Sequence, residues 1–161
     1  MTAPSVTVGV KRLPHGEGLP LPAYQSAGAA GLDLLAALPP DSKIVIEPGG
    51  RYLVQTGIVL SIPVNYEAQV RPRSGLARDH GVTVLNAPGT IDSDYRGEVL
   101  ILLINHGDEP FEIVRGARVA QLIVAPLARV TLTEQDEVDT TLRAGNGFGS
   151  TGGHAGLEER R

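Results

Sequence analysis

The chain of 161 residues contains no cysteine. That excludes disulfides, thiolate zinc sites and a cysteine nucleophile, and it leans the chain toward a cytoplasmic setting. A basic excess is missing too: 14 Lys and Arg against 18 Asp and Glu give a net charge of −4. Wrapping of a nucleic-acid backbone is therefore disfavoured, although a few converging arginines still suit a smaller polyanion. Long apolar stretches are absent. The longest run, Val99 to Ile104, is far too short to span a bilayer, and residues 1–13 carry no stretch of signal-peptide length. Walker A, H-E-x-x-H and G-x-S-x-G sequences are also missing. The four histidines, His15, His80, His106 and His154, are scattered, form no ligand cluster and read as surface or loop residues.

Glycine and proline are plentiful, at 20 and 12, and spread throughout. Short β-branched runs between such punctuation predict an all-β chain. Strands are predicted over 6–12, 31–35, 43–46, 52–62, 67–72, 82–85, 98–105, 111–114 and 119–130. The run Val99 to Ile104 is apolar at successive positions, which predicts a central strand buried on both faces. His106-Gly107-Asp108-Glu109-Pro110 reads as a reversal. So many short strands suggest a jelly roll or distorted β-barrel. One short helix is predicted, with Ser74 as N-cap and Gly81 as its stop. The length suits one domain, taken as 1–142, followed by a Gly-rich, flexible C-terminal arm over 143–161.

Five segments, with Asn86 beside one of them, carry candidate chemistry, and each has a plain alternative. Arg71-Pro72-Arg73-Ser74-Gly75-Leu76-Ala77 sets arginines beside a helix start, where free amides favour an anion. It is equally a solvated turn with a capped helix. The stretch from Gly89 to Glu98 holds Asp92, Asp94 and Tyr95 just before the apolar strand. A simple hairpin turn explains it, but Thr90, Ile91 and Asp92 also read as extended, which would set a carboxylate on a rigid element as a general base. Asn86 is either a turn residue before proline or a reader of an imide edge. Asp33 lies inside the apolar run Ala30-Gly31-Leu32-Asp33-Leu34 and needs a partner or a cation. Gln121, between apolar neighbours, is bonded to backbone or holds a water. In the tail, Gly147 to Gly152 matches G-x-G-x-x-G by letter. No βαβ unit surrounds it, so a Rossmann reading is rejected. A mobile arm bearing Arg143, Phe148, Ser150 and Thr151 remains, with Phe148 suited to base stacking.

Taken in order, these five segments resemble the five motifs of the trimeric dUTPase family across nearly the whole chain. One departure lies in the fifth: the family's usual Arg-Gly-x-Gly-Gly-Phe stands here as Arg143-Ala144-Gly145-Asn146-Gly147-Phe148. That change is expected to alter arm closure without abolishing activity. The resemblance implies a jelly-roll subunit of a homotrimer with sites between subunits. It implies Mg²⁺-dependent hydrolysis of dUTP to dUMP and pyrophosphate in the cytoplasm, with no nucleic-acid or membrane partner. Such a reaction lowers dUTP and supplies dUMP for thymidylate synthesis. Asp92 would activate water for attack at the α-phosphate, and Gln121 would orient that water. Arg73, Ser74, Gly75, Arg143, Ser150 and Thr151 would hold phosphates, with Phe148 and Gly149 in the closing arm. Asn86 and the backbone of Thr90, Ile91 and Asp92 would read uracil. Tyr95 would pack on the sugar, leaving no room for a 2′-hydroxyl. Leu100 would line the same pocket, and Asp33 would contact Mg²⁺ through water. Two alternatives share the scaffold. A dCTP deaminase, or bifunctional deaminase–dUTPase, carries a serine where Gly75 stands and lacks the Phe-Gly-Ser-Thr-Gly arm. A non-catalytic trimeric nucleotide-binding regulator would be expected to lose Asp92.

Overall fold

The computed structural model describes residues 5–145. Its elements in chain order are β1 (Gly9–Arg12), a 3₁₀ turn (Pro14–Gly16), β2 (Leu32–Leu35), β3 (Lys43–Ile46), β4 (Arg51–Ser61), β5 (Tyr66–Arg71), α1 (Ser74–His80), β6 (Val82–Val84), β7 (Gly89–Ile91), β8 (Glu98–Asn105), β9 (Phe111–Val114) and β10 (Arg118–Pro126). One sheet has the order β1-β4-β8-β6 and a second β2-β10-β5-β7, while β3 and β9 form a separate pair. Every recorded strand pairing is antiparallel. This is the expected all-β jelly roll with one short helix.

The chain divides into a compact unit, Met1–Arg129, and a second, Val130–Arg161. In the first unit the inner faces of the sheets supply one core. Leu34, Val54, Val82, Ile101, Leu103 and Ile113 are essentially inaccessible to water within it. In the second, residues 130–145 are all exposed and carry no helix or strand.

Three local expectations need correction. Arg73, not Ser74, occupies the cap position of α1, and no side chain caps the helix there. Ser74 is its first residue, so the amides of the first turn have no side-chain acceptor of their own. The predicted stop holds, with Gly81 at φ 66° in the left-handed region. The apolar strand β8 is central in its sheet, as expected, but only one of its faces is buried. Val99, Ile101 and Leu103 point inward, while Leu100 on the other face is 37% exposed. Finally, β7 and β8 are not partners. β7 pairs with β5 and β8 with β4 and β6. Residues 92–97 are therefore an arch between two sheets and not a hairpin turn.

The reversal after β8 is held from within. Asn105 is fully buried. Its amide nitrogen donates to the carbonyls of Ile46 (2.9 Å) and Glu109 (2.8 Å), and its oxygen accepts from the Gly107 amide (2.9 Å). One side chain thus ties β3 to the turn. Asn105→Ala leaves buried backbone groups without partners and is expected to lower unfolding free energy by about 3 kcal/mol. Chemical denaturation measures it, and a loss under about 1 kcal/mol contradicts this role.

Candidate active site

Two sets of predicted residues come together, in two places. The first is built on β2, β10 and the start of α1. Asp33 and Gln121 are direct cross-strand partners, and the Gln121 amide donates to Asp33 Oδ1 at 3.4 Å. Arg73 Nε lies 3.5 Å from the same oxygen, and Arg118 Nη1 lies 3.5 Å from Oδ2. Arg73 also donates to the Arg118 carbonyl at 3.1 Å. Asp33 is only 4% exposed. A carboxylate so buried is tolerated because two guanidiniums and an amide surround it.

Arg118 stands in the run Arg115-Gly116-Ala117-Arg118-Val119-Ala120-Gln121, where strand alternation assigns it no role beside Gln121, and a fold detail explains why. In a regular strand, residues three apart face opposite sides. The pairing of β10 with β2 slips between Arg118 and Ala120. This bulge absorbs Val119 and turns Arg118 to the face of Gln121. Gly31 has a local reason as well: a Cβ there would sit 3.2 Å from the Gln121 Cβ.

In front of this cluster opens a cavity of about 300 Å³, lined by Arg73, Ser74, Gly75, Leu76, Asp79, His80 and Gln121. The uncapped amides of α1, the Arg73 guanidinium and the Ser74 hydroxyl give it the character of an anion cradle. Asp79 would oppose an anion, but Arg78 grips its carboxylate at 2.6 and 3.0 Å. That hydrogen bond holds the Asp79 carboxyl below the usual carboxylate range and offsets its charge. A larger hollow of about 400 Å³, with Asp108 and Glu109 in its wall, contains none of the predicted site residues.

The second place is the arch. Thr90, Ile91, Asp92, Tyr95, Glu98, Val99 and Leu100 line a slot of about 170 Å³ where the two sheets part. Asp92 follows directly on β7, is exposed, and also borders a neighbouring hollow of about 340 Å³. The Tyr95 hydroxyl donates to the Glu98 carbonyl at 3.0 Å. Its ring lies so close over Gly97 that a Cβ there would fall 2.2 Å from the hydroxyl oxygen. β7 is an edge strand, so one row of its backbone groups is open to a ligand. Asn86 is exposed and lies over Gly89, outside the residues that line the slot.

The two places are well separated. Gln121 pairs with Arg71 on β5, while Ile91 pairs with Ala68, which puts Asp92 level with Glu67. β10 and β7 flank β5 on opposite sides. Strand rise and spacing then set the backbones of Asp92 and Gln121 roughly 16 Å apart.

Arg143 lies in a turn of the second unit, where the Ala144 amide donates to the Thr141 carbonyl at 3.0 Å. Ala144 has φ 44°, a left-handed conformation that glycine adopts without strain. This is one of the two positions, with Asn146, at which the fifth motif departs from the glycines of the pattern it resembles. Phe148, Gly149, Ser150 and Thr151 lie outside the described residues.

Among the described residues, no group of three or more His, Asp or Glu side chains is placed to hold a metal ion. Asp33 Oδ2 is buried with no hydrogen-bond partner. One such oxygen between guanidiniums suits a donor such as a metal-bound water better than the metal itself, consistent with an ion carried mainly by a ligand's phosphates.

Fold and site together define a jelly-roll protein with an anion cradle and a carboxylate-tipped slot. The sequence profile of the dUTPase family matches residues 17–152. The deoxyuridine 5′-triphosphate nucleotidohydrolase of Methylocella silvestris is 67% identical over 156 residues, 97% of this chain and 98% of that protein. That of Beijerinckia indica is 68% identical over 143 residues, 89% of each chain. Among solved structures, a dUTPase of Staphylococcus bacteriophage 80alpha with dUpNHpp superposes with a TM-score of 0.80 at 24% identity, over 92% of this chain and 99% of that one. A dUTPase from phage phi11 of S. aureus, described with a structural Mg(II) ion, gives 0.71 at 22% identity, over 82% and 98%. The chain belongs to the dUTPase family.

A Cβ on Gly75 would meet no atom within 4 Å, so the fold itself does not require glycine there. Gly75→Ala is expected to keep stability within about 0.5 kcal/mol of the parent. It is expected to weaken triphosphate binding about tenfold, because the methyl would stand where a phosphate must approach the amides. Thermal melts beside calorimetric titration check both halves, and unchanged affinity contradicts the cradle.

Proposed function

We propose that this enzyme cleaves dUTP to dUMP and pyrophosphate, with Asp92 as general base. The Asp92 carboxylate takes a proton from water, and the water oxygen attacks the α-phosphorus. The bond from that phosphorus to the oxygen bridging to the β-phosphorus breaks, and pyrophosphate leaves. Gln121 orients the water through its amide. Arg73, Ser74 and the Gly75 amide take phosphate oxygens, joined by Arg143, Ser150 and Thr151 of the arm. Phe148 stacks on the base, with Gly149 giving close backbone approach. Asp33 would hold the water shell of a Mg²⁺ ion that arrives with the triphosphate, and that ion would supply charge neutralisation at the phosphates. The enzyme acts on the cytoplasmic pool, lowering dUTP and supplying dUMP.

Specificity follows from the slot. The open backbone edge at Thr90, Ile91 and Asp92, with Asn86, suits uracil's alternating acceptors and donor. Cytosine would leave those groups mispaired. A narrow slot excludes the thymine methyl, and the Tyr95 ring excludes a 2′-hydroxyl. Leu100 closes the wall.

The observation that carries this reading is the split of the site. Asp92 and Gln121 must reach one water, yet roughly 16 Å separates them in one chain. We infer that the slot of one copy faces the cradle of another, in the homotrimer that the family resemblance implies. The outer face of the first sheet supports association. Leu53 (49% exposed), Leu85 (42%) and Leu100 lie open there, and such an apolar surface suits an interface.

Pyrophosphate release is to be measured from dUTP, dCTP, dTTP and UTP, with Mg²⁺ and with chelator. The parent is expected to act on dUTP alone and to lose activity on chelation. Asp92→Asn is expected to lower kcat at least about 100-fold with little change in dUTP binding. Equal turnover by that variant removes Asp92 as base, and release from dCTP with dUMP as product points to the deaminase branch.

A further inference from the structure

His15 and Glu98 meet behind the slot. His15 Nε2 donates to Glu98 Oε1 at 2.7 Å, joining residues 83 apart in the chain. The same oxygen accepts the Gly57 amide at 2.7 Å, and Oε2 accepts the Gln55 amide nitrogen at 3.4 Å. The Glu98 side chain is 14% exposed and that of His15 32%. Glu98 lines the slot, and its backbone carbonyl takes the Tyr95 hydroxyl. One residue therefore couples the tyrosine ring to the body of the fold.

His15 itself is held firmly. The Arg115 guanidinium donates to the carbonyls of His15 (2.9 Å), Glu17 (2.6 Å) and Leu38. The 3₁₀ turn also lies flush on the bulge of β4. A Cβ on Gly16 would fall 2.5 Å from the Gly57 carbonyl oxygen. Gly57 at φ 68° supplies the bend that makes this contact. The arch, by contrast, is held chiefly by itself. Arg96 donates to the carbonyls of Ser93 (2.7 Å) and Tyr95 (2.8 Å), and the Tyr95 amide donates to the Asp92 carbonyl at 3.2 Å. Among the described residues, the side-chain tie from the arch to the body of the fold thus runs from the Tyr95 hydroxyl to the Glu98 backbone carbonyl, and from the Glu98 carboxylate to Gly57, Gln55 and His15.

We propose that His15 is a positioning residue. Through Glu98 it fixes the height of the Tyr95 ring and so sets discrimination between deoxyribose and ribose. This rests on the reading that the slot takes the sugar and base of dUTP. A 2′-hydroxyl differs from hydrogen by one oxygen atom, so a sub-ångström drop of the ring admits it. The Arg115 side chain gains a purpose as well: it holds the turn that carries His15.

The test is a comparison of parent, His15→Ala and His15→Gln by kcat and KM for dUTP and UTP separately, with thermal melts. His15→Ala is expected to lower the dUTP-to-UTP ratio of kcat/KM about tenfold, mainly through a lower KM for UTP. His15→Gln keeps an amide donor toward Glu98 and is expected to recover most of the ratio. An unchanged ratio in His15→Ala overturns the proposal, even if the melting temperature falls, because only a structural role would then remain. Equal loss in both variants overturns it too. A parent that does not prefer dUTP to UTP removes the underlying reading and the proposal with it; a discriminating parent with an indifferent His15→Ala removes the proposal alone.

Discussion

A buried carboxylate organises one half of this site. Taking Asp33 out of water is costly unless cations and donors meet it. Arg73, Arg118 and Gln121 do so, from the cap position of α1 and from two places on β10. Each of these is held where it is by backbone: the extended cap residue before α1, the bulge at Val119, and the cross-strand pair of Gln121 with Asp33. The anion cradle is thus fixed in shape before any ligand arrives. Such preorganisation limits the loss of freedom on binding.

The other half depends on the gap between the sheets. β7 ends one sheet and β8 runs through the middle of the other, so residues 92–97 must cross between them. Crossing opens the slot and leaves Asp92 at its rim. The same geometry keeps Asp92 away from the cradle, since β7 and β10 lie on opposite sides of β5. On the proposed reading the fold makes two incomplete sites per chain, and assembly completes them. The leucines on the outer face of the first sheet fit that account, because they leave apolar surface for a second copy to cover.

Much of this was legible in the sequence. The punctuated β-branched runs gave most of the strands, and Gly81 marked the end of α1. The run from Val99 to Ile104 reads as a strand buried on both sides. In a single chain only one side is covered, and sequence pattern cannot distinguish burial by the same chain from burial by another copy. The three-residue β7 was visible only as an extended stretch, because Pro88 before it and its own first residue, Gly89, read as turn. Arg118 was invisible as a site residue since a bulge, not strand alternation, aims it at Asp33. The bond between His15 and Glu98 joins residues 83 apart, and no local pattern announces such a contact.

The central claim is that each site draws its base and its phosphate cradle from different copies. Asp92→Asn and Arg73→Ala proteins, each nearly inactive alone, are to be mixed, unfolded and refolded together, and assayed for pyrophosphate release from dUTP. The account predicts that activity returns, because some sites then combine an intact Asp92 from one copy with an intact Arg73 from another. If the mixture stays as inactive as its components while refolded parent recovers, both halves belong to one chain and the split-site account is contradicted.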